Sequence, residues 1–324
     1  MNGQICSLPS RWRTVWASDL HLGARDSADR EFAAALNLLA CDTLHLVGDT
    51  LDFWKLRRSW WVHWPRSHNT VLRAIKRKID EGTEVVAFRG NHDEELRDLC
   101  GKEVGISDLV ELVLASMGKR ARSWWLRKYA DDLEEFASWG SGGIRVAEDM
   151  LYPSSDKRLL MLILHGDQFD CVMQKIKWLA YVGDVGYSCA LFVNRWFNWL
   201  GSFVHLPYLP ISRWLKRLAK GAMQYICGFE EIVAEEARRR GANVVVAGHI
   251  HHGQIRFING VLYCNTGDFV ESRTLLAEDY RGNIWLLYYD ARRRKLVPVV
   301  YFNAKRGEVL PPPVAEPAED LVEV

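Results

Sequence analysis

Five short apolar runs punctuate the chain, each β-prone and each ending on a polar cluster: Thr14–Ala17, Thr43–Val47, Glu84–Phe88, Leu159–Leu164 and Asn243–Ala247. Runs this short and this apolar predict strands covered on both faces. Amphipathic spacing lies between several of them. Phe32, Leu36 and Leu39 predict a helix before the second run, and Val71, Leu72, Ile75 and Ile79 predict one before the third. Phe229, Ile232, Val233 and Ala237 predict another before the fifth, stopped at Gly241. Alternating strands and helices predict an α/β sheet. Beyond the fifth run the pattern changes to Gln254–Ile258, Val261–Cys264, Ile284–Tyr289 and Val297–Phe302, with turns at Asn259-Gly260 and Arg281-Gly282-Asn283. This predicts a β-rich closing half, folded as a second sheet packed on the first.

Two stretches depart from that plan. Residues 119–139 and 171–228 are aromatic, basic and helical in pattern, and both fall between core strands, so they read as a smaller and a larger insertion on one domain spanning 10–303. Residues 304–324 are Pro-rich and acidic and read as a disordered tail. Charge sharpens the division. The 324-residue chain carries a formal net charge of only +1, which argues against a general nucleic-acid binder. That value is a cancellation, because 171–228 sets seven Lys and Arg against Asp184 alone, while the chain from Gly307 onward carries five carboxylates and no Lys or Arg. A 48% hydrophobic content excludes a disordered chain. Seven cysteines without a CxxC pair read as reduced thiols. The first residues lack the apolar run of a secretory leader, and no run reaches the ~18 residues of a spanning helix. A cytoplasmic protein is expected.

The strand ends carry the chemistry. The first run leads into Asp19-Leu20-His21, the second into Gly48-Asp49-Thr50-Leu51-Asp52 and the third into Gly90-Asn91-His92-Asp93. The fourth leads into His165-Gly166-Asp167 and the fifth into Gly248-His249-Ile250-His251. Sites in α/β sheets gather at the carboxyl ends of strands, so the five clusters should converge. Asp19, His21, Asp49, Asn91, His165, His249 and His251 are oxygen and nitrogen donors suited to Mn²⁺, Fe or Zn²⁺. They are too many for one ion and about right for two ions sharing a carboxylate, an arrangement that clamps a phosphoryl group and acidifies a water.

These motifs, in this order over residues 15–270, resemble the calcineurin-like metallophosphoesterase superfamily. The resemblance implies a four-layer αββα sandwich. It also implies two divalent ions, Mn²⁺ first, with Asp19, His21 and His251 on one, Asn91, His165 and His249 on the other, and Asp49 bridging. His92 would be the catalytic residue, contacting the phosphate or the leaving-group oxygen. Asp49–Trp54, His165–Asp170 and Tyr263–Asp268 further resemble the UDP-2,3-diacylglucosamine diphosphatases of lipid A synthesis, in which a helical lid occupies the place of 171–228. The best-known members read GNRD where this chain reads Gly90-Asn91-His92-Asp93, so the likeness is to the second branch.

That likeness implies a nucleotide-linked glycolipid substrate. Arg57, Arg58, Arg213 and Lys216 would hold its diphosphate, and the apolar insertion with Trp214 its acyl chains. Asp52 and Asp93 would either orient ligands or cap turns, and Asp268 reads as structural. Arg213, Lys216, Arg217 and Lys220 alternate with Trp214, Leu215 and Leu218, the pattern of a helix lying on the cytoplasmic face of the inner membrane, or of one packed on the core with a solvated basic face. Most of the 14 tryptophans, Trp54, Trp64, Trp125 and Trp214 among them, fall outside the core runs and predict an apolar, basic mouth over the site. Two other readings remain: a nuclease, nucleotide phosphodiesterase or phosphoprotein phosphatase on the same fold, and a non-catalytic scaffold, which the retention of all seven ligand positions disfavours.

Overall fold

The computed structural model describes residues 8–58, 62–140, 142–169, 226 and 228–312. The 171–228 insertion therefore lies almost wholly outside the described residues, as does the tail from 313. The parallel core of one sheet is β1 (Trp12–Ala17), β2 (Cys41–Val47) and β3 (Glu84–Phe88), followed by β4 (Glu103–Val104) and β5 (Ile144–Ala147). The second sheet holds β6 (Asp149–Pro153), β7 (Leu160–Leu164), β8 (Val244–Ala247), β9 (Gln254–Ile258) and β10 (Val261–Asn265). The chain then returns to the first sheet with β11 (Thr274–Glu278), β12 (Ile284–Asp290), β13 (Lys295–Asn303) and β14 (Glu308–Leu310).

The strand orders are β14-β13-β12-β11-β1-β2-β3-β5-β4 and β6-β7-β8-β10-β9. This corrects the expectation that the closing half forms a sheet of its own. β10 lies parallel to β8, whereas β11 pairs antiparallel with β1, so the closing half is divided between the two sheets. The five motif-bearing strands are likewise split, three in one sheet and two in the other. β14 pairs with β13 and continues the sheet into the stretch whose composition reads as tail.

Alternation along the strands builds four layers. Trp16, Val47, Val86 and Phe88 point between the sheets and meet Met161, Ile163, Val246 and Leu262 of the other. Val15, Leu44, Leu46 and Val85 face the opposite way. They are covered by α1 (Asp29–Leu38), α3 (Arg66–Asp80) and α4 (Ile106–Ser116), with the short α2 (Phe53–Arg58) beside them. On the far side Leu162, Leu164 and Val245 meet Phe229, Val233 and Ala237 of α7 (228–239). The result is the αββα order.

The 119–139 segment folds as α5 (Lys119–Lys128) and α6 (Ala130–Ser138) and is part of the helical layer. Trp125 is 0% exposed and meets Trp64 edge-on at 6.1 Å. Tyr129 donates its hydroxyl to the Trp64 carbonyl, and Arg73 of α3 binds Asp132 and Glu135 of α6. Trp64 and Trp125 are thus core residues, not parts of a mouth. A fully buried Trp removes enough apolar surface from water to be worth several kcal/mol, so the core claims it first.

His45 is buried between the sheets against Trp16, Phe88 and Tyr152, and neither ring nitrogen has a hydrogen-bond partner. Burial, with Arg145 and Arg13 adding to it, pushes its pKa down from 6.5 to about 3. Between those values the unfolded chain binds a proton that the folded chain refuses, so stability falls as pH drops below 6.5, by about 1.4 kcal/mol per pH unit at full slope. His45→Phe should flatten the acid limb of stability measured by urea denaturation. Parallel pH profiles for the two proteins would show that His45 is not buried neutral.

Candidate metal centre

The carboxyl ends of β1, β2, β3, β7 and β8 meet at one edge of the sandwich. The backbone there is unusual. Nine non-glycine residues have positive φ among those described, and Asp19, His21, Asp49, His249 and His251 are five of them, at 53°, 52°, 53°, 71° and 55°. Left-handed backbone costs an L-residue of order 1–3 kcal/mol, so five instances among seven candidate ligands mark a place where packing overrides local preference. The loops are sewn together by backbone hydrogen bonds, His21 N–H to Asp49 O at 2.9 Å and Gly248 N–H to His165 O at 3.2 Å among them. Close approach requires glycine. A Cβ on Gly90 would land on the Asp49 carboxylate, and one on Gly48 on the His165 ring.

Three groups of donor atoms result, each within 4.8 Å: Asp19 with His21 and His251, His21 with Asp49 and His92, and Asp49 with His165 and His249. His251 Nε2 is 3.1 Å from Asp19 Oδ1, and His165 Nε2 is 3.3 Å from Asp49 Oδ2. Asp19 Oδ2 is occupied, accepting from Ser18 Oγ and from His249 N–H. His21 Nε2 and Asn91 Oδ1 are buried without a hydrogen-bond partner, and Asp19 Oδ1 and His165 Nε2 have only ionic contacts. Orphaned buried donors and acceptors are costly, and such under-satisfied atoms converging on one spot are what a cation site requires.

The electrostatics agree. Burial opposes protonation of His165, yet Asp49 outweighs it and raises the pKa to about 10. Burial likewise opposes protonation of His251, which Asp19 and Asp268 raise to about 10. Asp49, despite burial, is held below the ordinary carboxylate range, first by His165. Two buried carboxylates thus favour positive charge on His21, His165 and His251, which is the field that attracts divalent cations.

The partners of the ligands define finer roles. Asp52 places Oδ2 3.5 Å from His21 Nδ1 and Oδ1 3.2 Å from His92 Nδ1, so it orients both rings. Asp93 does something else. Its carboxylate accepts from Gly90 N–H at 2.6 Å and Thr50 N–H at 2.9 Å, tying two loops together, and burial beside Asp49 pushes its pKa up to about 7. Trp54, 45% exposed, packs its indole on His92 with ring centroids 4.2 Å apart. Arg57 pairs with Glu95. The Arg58 side chain and all of Arg213, Trp214 and Lys216 lie outside the described residues.

Two roles were missed from the sequence. Ser18 fixes one oxygen of Asp19, and only its place beside the first motif hinted at it. Asp268 caps a turn through Oδ1, accepting from Glu271 N–H and Ser272 N–H at 2.9 and 2.7 Å, but its Oδ2 lies 3.0 Å from His251 Nδ1. It is therefore both structural and orienting. The signal was Asn265-Thr-Gly-Asp268 after β10, which becomes a sixth converging carboxyl end once β10 is known to run parallel to β8.

The chain matches calcineurin-like phosphoesterase over residues 13–253. It belongs to the calcineurin-like phosphoesterase family. A relative from Porphyromonas gingivalis, UDP-2,3-diacylglucosamine hydrolase, is 34% identical over 102 residues, covering 29% of this chain and 38% of that one. The matched stretch is thus well under half of the relative's length. Among solved structures, the phosphoesterase Yfce from E. coli is 12% identical with a TM-score of 0.37, covering 88% of this chain and 96% of that one. Vacuolar protein sorting 29 from Cryptosporidium parvum is 14% identical with a TM-score of 0.35, covering 88% and 94%. The phosphoesterase family membership and the orphaned donor atoms agree on a hydrolytic, cation-holding centre.

Asp268→Asn tests the orienting contact. Asn keeps Oδ1 for the turn amides but offers His251 Nδ1 an N–H donor, which forces the proton onto Nε2, the atom facing Asp19. Metal affinity, measured against a chelating dye, should fall about 10–100-fold with the fold intact. Unchanged affinity would show that the contact does not set the tautomer.

Proposed function

We propose that this phosphoesterase hydrolyses the diphosphate of a nucleotide-linked glycolipid, with UDP-2,3-diacylglucosamine the specific candidate. The reaction class rests on one observation, three donor groups joined through His21 and Asp49 at the sandwich edge. The substrate rests on the partial likeness to UDP-2,3-diacylglucosamine hydrolase.

In this reading Asp19, His21 and His251 would hold one divalent ion, Asn91, His165 and His249 the other, and Asp49 would serve both. The donor set favours Mn²⁺, with Fe or Zn²⁺ compatible. When bound, such ions supply Lewis acidity toward phosphoryl oxygens and acidify a water. The remaining chemistry belongs to the side chains. Asp52 holds His92 Nδ1, which leaves Nε2 to hydrogen-bond a phosphoryl oxygen or give a proton to the leaving group. Trp54 covers one face of that ring and limits its swing. Water adds to the nucleotide phosphorus as the bridging P–O bond breaks, giving UMP and 2,3-diacylglucosamine 1-phosphate. The substrate's acyl chains place the protein at a membrane surface; no described helix is long and apolar enough to cross one.

Product analysis by mass spectrometry on the Mn²⁺-loaded protein decides the substrate. UMP and the lipid 1-phosphate are expected, whereas intact glycolipid beside a cleaved simple phosphodiester would sink the assignment. His92→Ala should lower kcat by roughly 10²–10⁴-fold while bound metal stays unchanged. Loss of an ion would instead make His92 a ligand, the role its grouping with His21 and Asp49 also permits.

A further inference from the structure

We propose that α5 is a docking surface for an anionic lipid bilayer, mounted beside the mouth of the site. Its sequence, Lys119-Arg-Ala-Arg-Ser-Trp-Trp-Leu-Arg-Lys128, holds five cations and no carboxylate. Lys119, Arg120, Arg122, Arg127 and Lys128 are all exposed. None of the five has an ion-pair partner among the described residues. Of the four carboxylates in the neighbouring α6, Asp132 and Glu135 are engaged by Arg73, while Asp131 and Glu134 are exposed and have no ion-pair partner among the described residues. Five unpaired cations on one ten-residue helix outnumber those two free carboxylates, and the partner such a local positive field draws is anionic.

Geometry makes it a surface and not a loose charged segment. Trp125 is sunk in the core and Tyr129 is tied to the Trp64 carbonyl, so the helix cannot turn over. At 100° per residue, Arg120, Ser123 and Arg127 lie within about 40° of the point opposite Trp125 and Lys119 within about 60°, with Trp124 and Leu126 as shoulders on either side. Those shoulders are 36% and 38% exposed. A basic ridge flanked by half-exposed Trp and Leu matches a bilayer, whose phosphate plane takes the cations and whose interfacial zone takes the apolar shoulders. Single-stranded nucleic acid fits less well. Bases need a free aromatic face, and Lys128 Nζ already lies 4.4 Å over the Trp124 ring, while Leu126 offers nothing to stack on.

The surface is also in the right place. Trp64, which packs on Trp125, meets His68 at 5.0 Å between ring centroids, and His68 Nε2 accepts the Gly23 N–H at 2.9 Å, two residues after His21. His63 bridges the same gap: burial and then His68 push its pKa down, and Arg25 and Lys128 act on it in the same direction. Arg25, on the loop that bears His21, is also exposed. The inference rests on the glycolipid reading for its purpose, but docking is measured without substrate, so either can fail alone.

The test is co-sedimentation of the full chain with vesicles of phosphatidylcholine, alone or mixed with phosphatidylglycerol. Binding is expected only to the mixed vesicles and should fall steeply with added salt. The triple variant Lys119→Gln, Arg120→Gln and Arg127→Gln replaces exposed cations by a good helix former. It should weaken partitioning by about a hundredfold, at one unit of surface attraction per charge, while hydrolysis of a soluble phosphodiester is unchanged. Salt-insensitive binding, or unaltered partitioning of the triple variant, overturns the proposal. So does retention of the wild type on single-stranded oligonucleotide in place of vesicles.

Discussion

The dominant constraint is the burial of two carboxylates, Asp19 and Asp49, at the junction of two sheets. Ionised carboxylates removed from water are tolerable only when paired, and here the partners are imidazoles whose second nitrogens are already committed. His165 Nδ1 is 2.9 Å from the Val47 carbonyl and His251 Nδ1 faces Asp268. Each ring is therefore aimed, with Nε2 turned to the carboxylates. Protonated imidazoles can balance the charge, but they leave Asn91 Oδ1 unpartnered. A divalent cation satisfies all of these at once.

Everything around the centre serves to hold those atoms in place. Five residues take left-handed backbone, which a lone loop would relax; here each turn is pinned to a neighbour from another strand. Asp93 binds the second and third loops together, and Arg89 joins the third strand's end to the other sheet through Asp167 at 3.0 Å. The two sheets supply stiffness because their shared apolar layer is continuous. Strain at the site is thus offset by packing distant from it.

The convergence of the candidate ligands was legible in the sequence because each motif follows a buried strand, and strand ends have only one place to gather. His21, Asp49, His165, His249 and His251 needed no structure to be nominated. What was not legible depends on pairing between distant segments. Nothing local in Val261–Asn265 says that it joins β8 in parallel, so Asp268 read as a turn residue although it also holds His251. The division of the closing half between two sheets was hidden for the same reason, since Thr274–Glu278 finds its partner in β1. Trp125 shows a third kind of blindness. A basic stretch rich in Trp looks like a mouth from composition, and only packing reveals that Trp125 points inward while Trp124 points out.

That alternation links the two functional surfaces. Adjacent tryptophans on one helix serve opposite ends, Trp125 anchoring α5 to Trp64 and Trp124 standing beside the basic ridge. From Trp64 the contacts continue through His68 to the backbone of Gly23, and so to the turn that carries His21. His68 is itself fixed by Asp29, 2.5 Å from Nδ1, so both its nitrogens are spoken for and the linkage is rigid. A rigid mount matters more than a strong one here. In the proposed reading a diphosphate would have to reach Asp49 while its acyl chains stay in an apolar phase, which would require a constant offset between the plane that α5 meets and the edge where the strands end. The buried aromatic seam would provide that offset, since a segment that resembles an insertion is packed as tightly as the core.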